Sequence, residues 1–392
     1  MNRPRPAWSV RALLPLLPLV SLASAAAFES DRSEPGQLGS FTVGTITAQP
    51  GERAAGFLPV PPGPDGSTQI PISILHGSRP GPVLALVAGT HGYEYAPIVA
   101  LQRLAARLAP REISGTVIVV HIANLPSFLG RTIYYSPIDG KNLNRVYPGR
   151  ADGTLSERIA YVITREVIEQ ADYLVDLHCG DGNEALRPYT YWMKSGNAAV
   201  DEGSKQMALA FGLDHIVIDT DRPSDPARSV YCANAAITRG KPAITTETGQ
   251  LGRTDPKWVA RVERGVTSLL RHLRMLAGKP DRVTHPIWID RSEVLRSSAT
   301  GIFYPAVEPG ETVARGTLIG TFTDFFGNKQ AEVRAPFAGV VLYVVATPPV
   351  SAGEPLAMVG HIQREGTEPR GSSLGDYLFR NPPGRSLGAQ VV

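Results

Sequence analysis

His91 and Glu94 stand three residues apart in Gly89-Thr90-His91-Gly92-Tyr93-Glu94, and a second histidine, His178, closes an apolar run much later in the chain. Two neutral imidazoles and one carboxylate are the protein ligands of a catalytic His2Glu zinc site, whose fourth position stays open to water. A single anionic ligand leaves the ion net positive, a strong Lewis acid that lowers the pKa of its water to about 7. A His-x-x-Glu pair alone is weak evidence, because it occurs often by chance. Its position adds weight, since it follows directly on a short apolar run. A later loop carries Arg131 and then Asn142-Leu143-Asn144-Arg145, and Glu247 closes a further run.

Those runs must be strands for the polar residues to meet. Residues 82–87, 116–122, 173–177 and 242–246 are short, apolar and near-continuous, as expected of strands buried on both faces. Helical patterns alternate with them. One starts at about Ala96, with Pro97 in its first turn and Leu101, Leu104 and Leu108 at helical spacing. Thr154-Leu155-Ser156-Glu157 fits a capping box, opening a helix to about Gln170, and Asp255-Pro256 opens another that ends near Gly278. The alternation predicts an α/β catalytic domain over residues 40–278. In an open parallel sheet the carboxyl ends of the strands share one edge, where ligands bind. His91, Glu94, His178 and Glu247 thus converge despite their separation in sequence. Residues 278–298 lack a clear period and are taken as a linker. Beyond them short β runs broken by Pro-Gly, Gly-Asn and Ala-Gly turns predict a small all-β domain, residues 285–363. Residues 364–392, rich in Gly, Pro and Ser, are expected to be a disordered tail.

Taken in order, Gly-Thr-His-Gly-x-Glu, Asn-Leu-Asn-Arg, Asp-Leu-His and Glu-Thr-Gly resemble the motifs of the succinylglutamate desuccinylase/aspartoacylase family, a branch of the zinc carboxypeptidase-like hydrolases. The resemblance spans residues 82–252 and implies an open mixed sheet flanked by helices, with a smaller C-terminal all-β domain. It implies one zinc per chain on His91, Glu94 and His178. Glu247 matches the glutamate that takes a proton from the attacking water and delivers it to the leaving nitrogen. Arg145 matches the guanidinium that grips a substrate carboxylate through paired donors, with Asn144 assisting. Arg131 is chosen to stabilise the oxyanion of the tetrahedral intermediate. The implied reaction is hydrolysis of the amide of an N-acyl amino acid or a similar small, carboxylate-bearing substrate. An exported carboxypeptidase on short or cell-wall peptides and a non-catalytic binding protein on the same scaffold are the alternatives. The chain departs from the family at Asn142, where an aspartate commonly orients a zinc-ligand histidine. Asn142 still accepts a hydrogen bond but carries no charge. Asp176, two residues before His178, is a candidate to take over part of that role.

The first 27 residues read as a secretory signal peptide. Arg3, Arg5 and Arg11 lead into a short apolar run and then Ala23-Ser24-Ala25-Ala26-Ala27. The formal charge of +3 falls to near zero without those three arginines. Nucleic acid and anionic membrane are therefore disfavoured as partners, and a periplasmic or secreted protein is expected. Cys179 and Cys232, the two cysteines, fit either one disulfide or two buried thiols.

Overall fold

The computed structural model describes residues 38–363 apart from Asp221. The signal segment, residues 1–27, and the tail, residues 364–392, lie outside the described residues.

Along the strand Arg79–Ala88 successive side chains enter two different cores. Ala85 and Val87 pack with Ile118, Val120 and Leu174 against the helices Leu155–Ile163 and Cys232–Ile237. Leu84 and Leu86 pack with Val117, Val119, Val175 and Leu177 against Tyr95–Arg107, Ala198–Phe211 and Pro256–His272. Burial on both faces explains why these strands read as mostly apolar runs. Each fully buried leucine or valine stabilises the fold by about 1.5–3 kcal/mol relative to an exposed one.

The described strands include a thirteen-stranded mixed sheet. From one edge its order is Arg53–Gly63, Gly66–His76, Ser114–Val120, Arg79–Ala88, Tyr173–His178, Ala243–Glu247, Tyr189–Met193, His215–Asp219, Ile287–Arg296, Pro355–Ile362, Gly339–Val345 and Thr312–Val313, with Glu184–Leu186 also paired to Gly339–Val345. Ser114–Val120, Arg79–Ala88, Tyr173–His178 and Ala243–Glu247 run parallel, and Tyr189–Met193 is antiparallel to its neighbour. The register sets Glu247 opposite His178 and Ala88 opposite Leu177. The loop after Ala88 therefore leaves the sheet beside His178.

The helix opening at Leu155 has Glu157 Oε2 accepting from Thr154 N at 2.8 Å. It is α-helical to Ile163 and continues as a wider turn, Thr164–Ile168. The stretch taken as a linker holds a ten-residue strand, Ile287–Arg296. Register shifts next to Ile289 and Leu295 break its period-two alternation, which hid it in the sequence. This strand starts parallel to His215–Asp219 and then pairs with Pro355–Ile362, so the C-terminal β region extends the central sheet. Lys329–Arg334, Leu318–Thr323, Gly301–Pro305 and Pro349–Val350 form a second, four-stranded sheet.

Candidate active site

Two glycines let the first loop turn back over the sheet edge. Gly89 has φ +72°, and a Cβ on Gly92 would sit 2.4 Å from the carbonyl oxygens of Ser127 and Thr132. His91 and Glu94 are thereby brought under the end of the strand carrying His178. His91 Nδ1 lies 2.8 Å and His178 Nδ1 3.0 Å from Glu94 Oε1. The three residues offer ligand atoms within 4.8 Å of one another, and all three are buried.

The far side of each imidazole is also held. Asn142 Oδ1 accepts from Asn144 N at 2.8 Å, so it acts as an acceptor toward His91 Nε2, 3.1 Å away. Asp176 Oδ2 lies 3.0 Å from His178 Nε2. A proton placed on each Nε2 leaves both Nδ1 lone pairs aimed at the shared carboxylate, the tautomer that metal ligation needs.

The electrostatics fit a cation. Burial raises Glu247 well above the usual carboxylate range, and the nearby Glu94 adds to it while His178 opposes. Burial likewise pushes Glu184 up to about 7 and Asp181 up to about 6. Burial also disfavours charge on Glu94 itself, but His178 and His91 outweigh it and hold Glu94 below its ordinary value. Of these buried groups, His91, Glu94 and His178 are the ones whose atoms lie close enough together to hold a metal ion.

A cavity of about 130 Å³ opens on this cluster, with His91, His178, Glu247, Asn144 and Arg145 in its wall. Arg145 comes from the one-turn helix Leu143–Arg145, its Nη1 donating to Asn144 O at 2.7 Å and its guanidinium 4.7 Å over the ring of Tyr231. Asn144 is buried, and its Oδ1 accepts from Cys232 N at 2.9 Å. Arg131 is placed differently. It caps the helix Leu125–Gly130 at φ +50°, is exposed and does not line the cavity. Both cysteines are buried and unbridged.

Several wall residues escaped the sequence. Arg222 lines the cavity, pairs with Asp219 and lies 4.0 Å over the ring of Tyr231. It follows His215–Asp219, a strand whose short run was not read; had it been, the rule that ligands gather at strand ends would have pointed to Arg222. Outside the cavity wall, Tyr134 stands edge-on to His91 at 6.0 Å and its hydroxyl donates to Glu184 Oε1 at 2.6 Å. Val294, Tyr343 and Met358 enter the wall from the C-terminal strands. No pattern within one segment could have flagged them.

Residues 80–273 match the model of the succinylglutamate desuccinylase/aspartoacylase catalytic domain. The chain is 30% identical over 318 residues to the N-alpha-acetyl-L-2,4-diaminobutyric acid deacetylase of Halomonas elongata, covering 78% of this chain and 91% of that one. Among solved structures it resembles the product-bound ectoine utilization protein EutE of Ruegeria pomeroyi at 28% identity, with a TM-score of 0.71 over 82% of this chain and all of that one. It also resembles a succinylglutamate desuccinylase/aspartoacylase of Rhodobacter sphaeroides at 26% identity and a TM-score of 0.71, over 80% of this chain and 96% of that one. The matched residues 80–273 include His91, Glu94, His178 and Glu247, and with the relative 30% identical over most of both chains this shows that the chain belongs to the succinylglutamate desuccinylase/aspartoacylase family.

Proposed function

We propose that the protein is a zinc-dependent deacylase that hydrolyses the amide bond of a small N-acyl amino acid. The observation that carries this is the strand register, which sets Glu247 beside His178 where His91 and Glu94 converge. When bound there, zinc supplies Lewis acidity and lowers the pKa of water. Glu247 takes the water's proton on its carboxylate and passes it to the departing nitrogen, and its burial makes it a stronger base than an exposed glutamate. Arg145 and Arg222 both reach the cavity and receive the substrate carboxylate. Val294 and Met358 contribute apolar wall that excludes bulk water from the reacting bond. Arg131 is given no step.

The small cavity, walled on one side by the C-terminal strands, favours a compact substrate over a peptide chain. The Halomonas relative makes N-acetylated diaminobutyrate the first compound to try. The test is a panel of N-acetyl and N-succinyl amino acids and dipeptides, incubated with protein carrying about one zinc per chain. Release of free amino acid should stop on chelation and return with zinc. Full turnover by chelated protein, or cleavage of dipeptides alone, would overturn the proposal. We also infer export from the first 27 residues. Protein from the producing cell should begin between Ala23 and Phe28, whereas an intact Met1 in a cytoplasmic fraction would exclude export.

A further inference from the structure

We propose that Asp139 is a positioning residue for Arg145, a role that rests on the reading of Arg145 as a receiver of the substrate carboxylate. The first N–H groups of a helix have no partner within it and carry a partial positive charge, so they attract carboxylates. At the helix Leu155–Ile163 three acids answer them. Glu157 Oε2 accepts from Thr154 N at 2.8 Å, Asp65 Oδ2 from Leu155 N at 2.6 Å and Asp139 Oδ2 from Ser156 N at 2.8 Å. Glu157 belongs to the helix itself. Asp65 comes from the turn between Arg53–Gly63 and Gly66–His76, and its other oxygen lies 2.9 Å from Arg158 Nη2. Asp139 comes from the segment that leads into Asn142-Leu143-Asn144-Arg145.

The carboxylate of Asp139 bridges that segment and the helix. Its Oδ1 accepts from Ser156 Oγ at 2.8 Å and from Lys141 N at 3.2 Å. Ser156 is fully buried, so water does not compete for its side of the bridge. Lys141 also lies 3.1 Å from Glu157 Oε1, but its side chain is 37% exposed and salt screens such a pair. Asp139 is thus the stronger tether. The turn that presents it is closed by Ser136 N donating to Lys141 O at 2.8 Å and Gly140 N to Ser136 O at 3.0 Å. Downstream, Leu143 and Tyr147 share a core with Leu155 and Ile159, and Arg150 N donates to Glu157 O at 3.1 Å. Arg145 therefore stands between two attachments to one helix, and Asp139 makes the earlier one. A guanidinium that grips a carboxylate through paired donors depends on orientation as much as on reach, and the backbone at Arg145 sets both. Asp139 itself does not line the cavity, so it acts through the segment.

Asp139→Ala removes the bridge. Asp65→Ala is its control, because it strips an acceptor from the same helix terminus and leaves the segment alone. Both should lower the melting temperature by about 2–4 °C. Only Asp139→Ala should raise KM for an N-acyl amino acid at saturating zinc, about tenfold with kcat changed less than about threefold, and shrink the preference for free acid over methyl ester. Asp139→Asn, which keeps an acceptor for Ser156 N, should recover most of that loss. Hydrogen exchange read by mass spectrometry reports the same placement without turnover. Peptides covering residues 140–148 should exchange about fivefold faster in Asp139→Ala and at the parent rate in Asp65→Ala. Unchanged exchange in Asp139→Ala, an unchanged KM in that variant, or an equal rise of KM in Asp65→Ala would overturn the proposal. If Asp139→Ala does not fold, Ser156→Ala, which removes one of the two bonds to the helix, carries the same measurements. If the parent cleaves no N-acyl amino acid, the proposed reaction fails, and exchange alone then decides whether Asp139 holds the segment.

Discussion

Asn142→Asp restores a carboxylate behind His91 and should tighten zinc binding. The two contacts of Asn142 Oδ1, from Asn144 N at 2.8 Å and His91 Nε2 at 3.1 Å, both use it as an acceptor, so aspartate preserves them. A neutral hydrogen bond contributes about 0.5–1.5 kcal/mol net and one to a charged group about 1.5–3. The gain is therefore about 1 kcal/mol, and it is greatest when His91 donates electron density from Nδ1 to a cation. A second effect has the same sign. The metal-free site already holds the carboxyls of Glu94 and Asp181 close to His91, and another negative charge raises its energy until a cation is bound. Together they predict a zinc dissociation constant about 5–10-fold lower, since 1.4 kcal/mol is tenfold. Competition with a chelator at pH 7 measures it, and thermal melts should show the metal-free variant slightly less stable than the parent. A native variant whose zinc affinity stayed the same or fell would refute the orienting role given to Asn142.

Glu247→Gln keeps shape and hydrogen bonding but cannot act as a base. Zinc content should stay at about one per chain while kcat falls about 10²–10⁴-fold, as metal analysis and steady-state kinetics would show. Arg145→Lys keeps the charge and loses the paired geometry, so KM should rise with kcat little changed, and discrimination between free-acid and methyl-ester substrates should shrink. Glu184 sits in the folded state at about 7 against an ordinary value of 4.5, chiefly through burial. Its contribution is thus present below pH 4.5 and lost as the pH rises through 7, so denaturant melts of metal-free protein should show stability falling across that window. The loss is at most about 3 kcal/mol before solvent screening, and Glu184→Gln should flatten it. Stability that rose over the same range would contradict the burial of that carboxyl.

Much of the fold was legible because burial on both faces writes itself into local sequence. Arg79–Ala88, Ser114–Val120, Tyr173–His178 and Ala243–Glu247 are short, mostly apolar stretches, and each ends in or leads to a polar motif. The order of those motifs placed His91, Glu94, His178 and Glu247 at one sheet edge, where the structure holds them. Other elements were hidden for local reasons. Arg53–Gly63 carries three prolines, which an edge strand tolerates and a central strand would not. Ile287–Arg296 has bulges that break its alternation. Arg222, Tyr231, Val294, Tyr343 and Met358 enter the cavity because separate strands, loops and the C-terminal region pack around one edge, a relation that no single segment encodes. The orientation of Asn144 and the exposure of Arg131 lie at the same level. A motif determines which side chain is available, but its hydrogen-bond partner can lie far away in sequence, as Cys232 does for Asn144. Local sequence therefore singled out His91, Glu94, His178 and Glu247, whereas tertiary packing decided which other residues line the cavity beside them, since that depends on surfaces brought together only when the sheet forms.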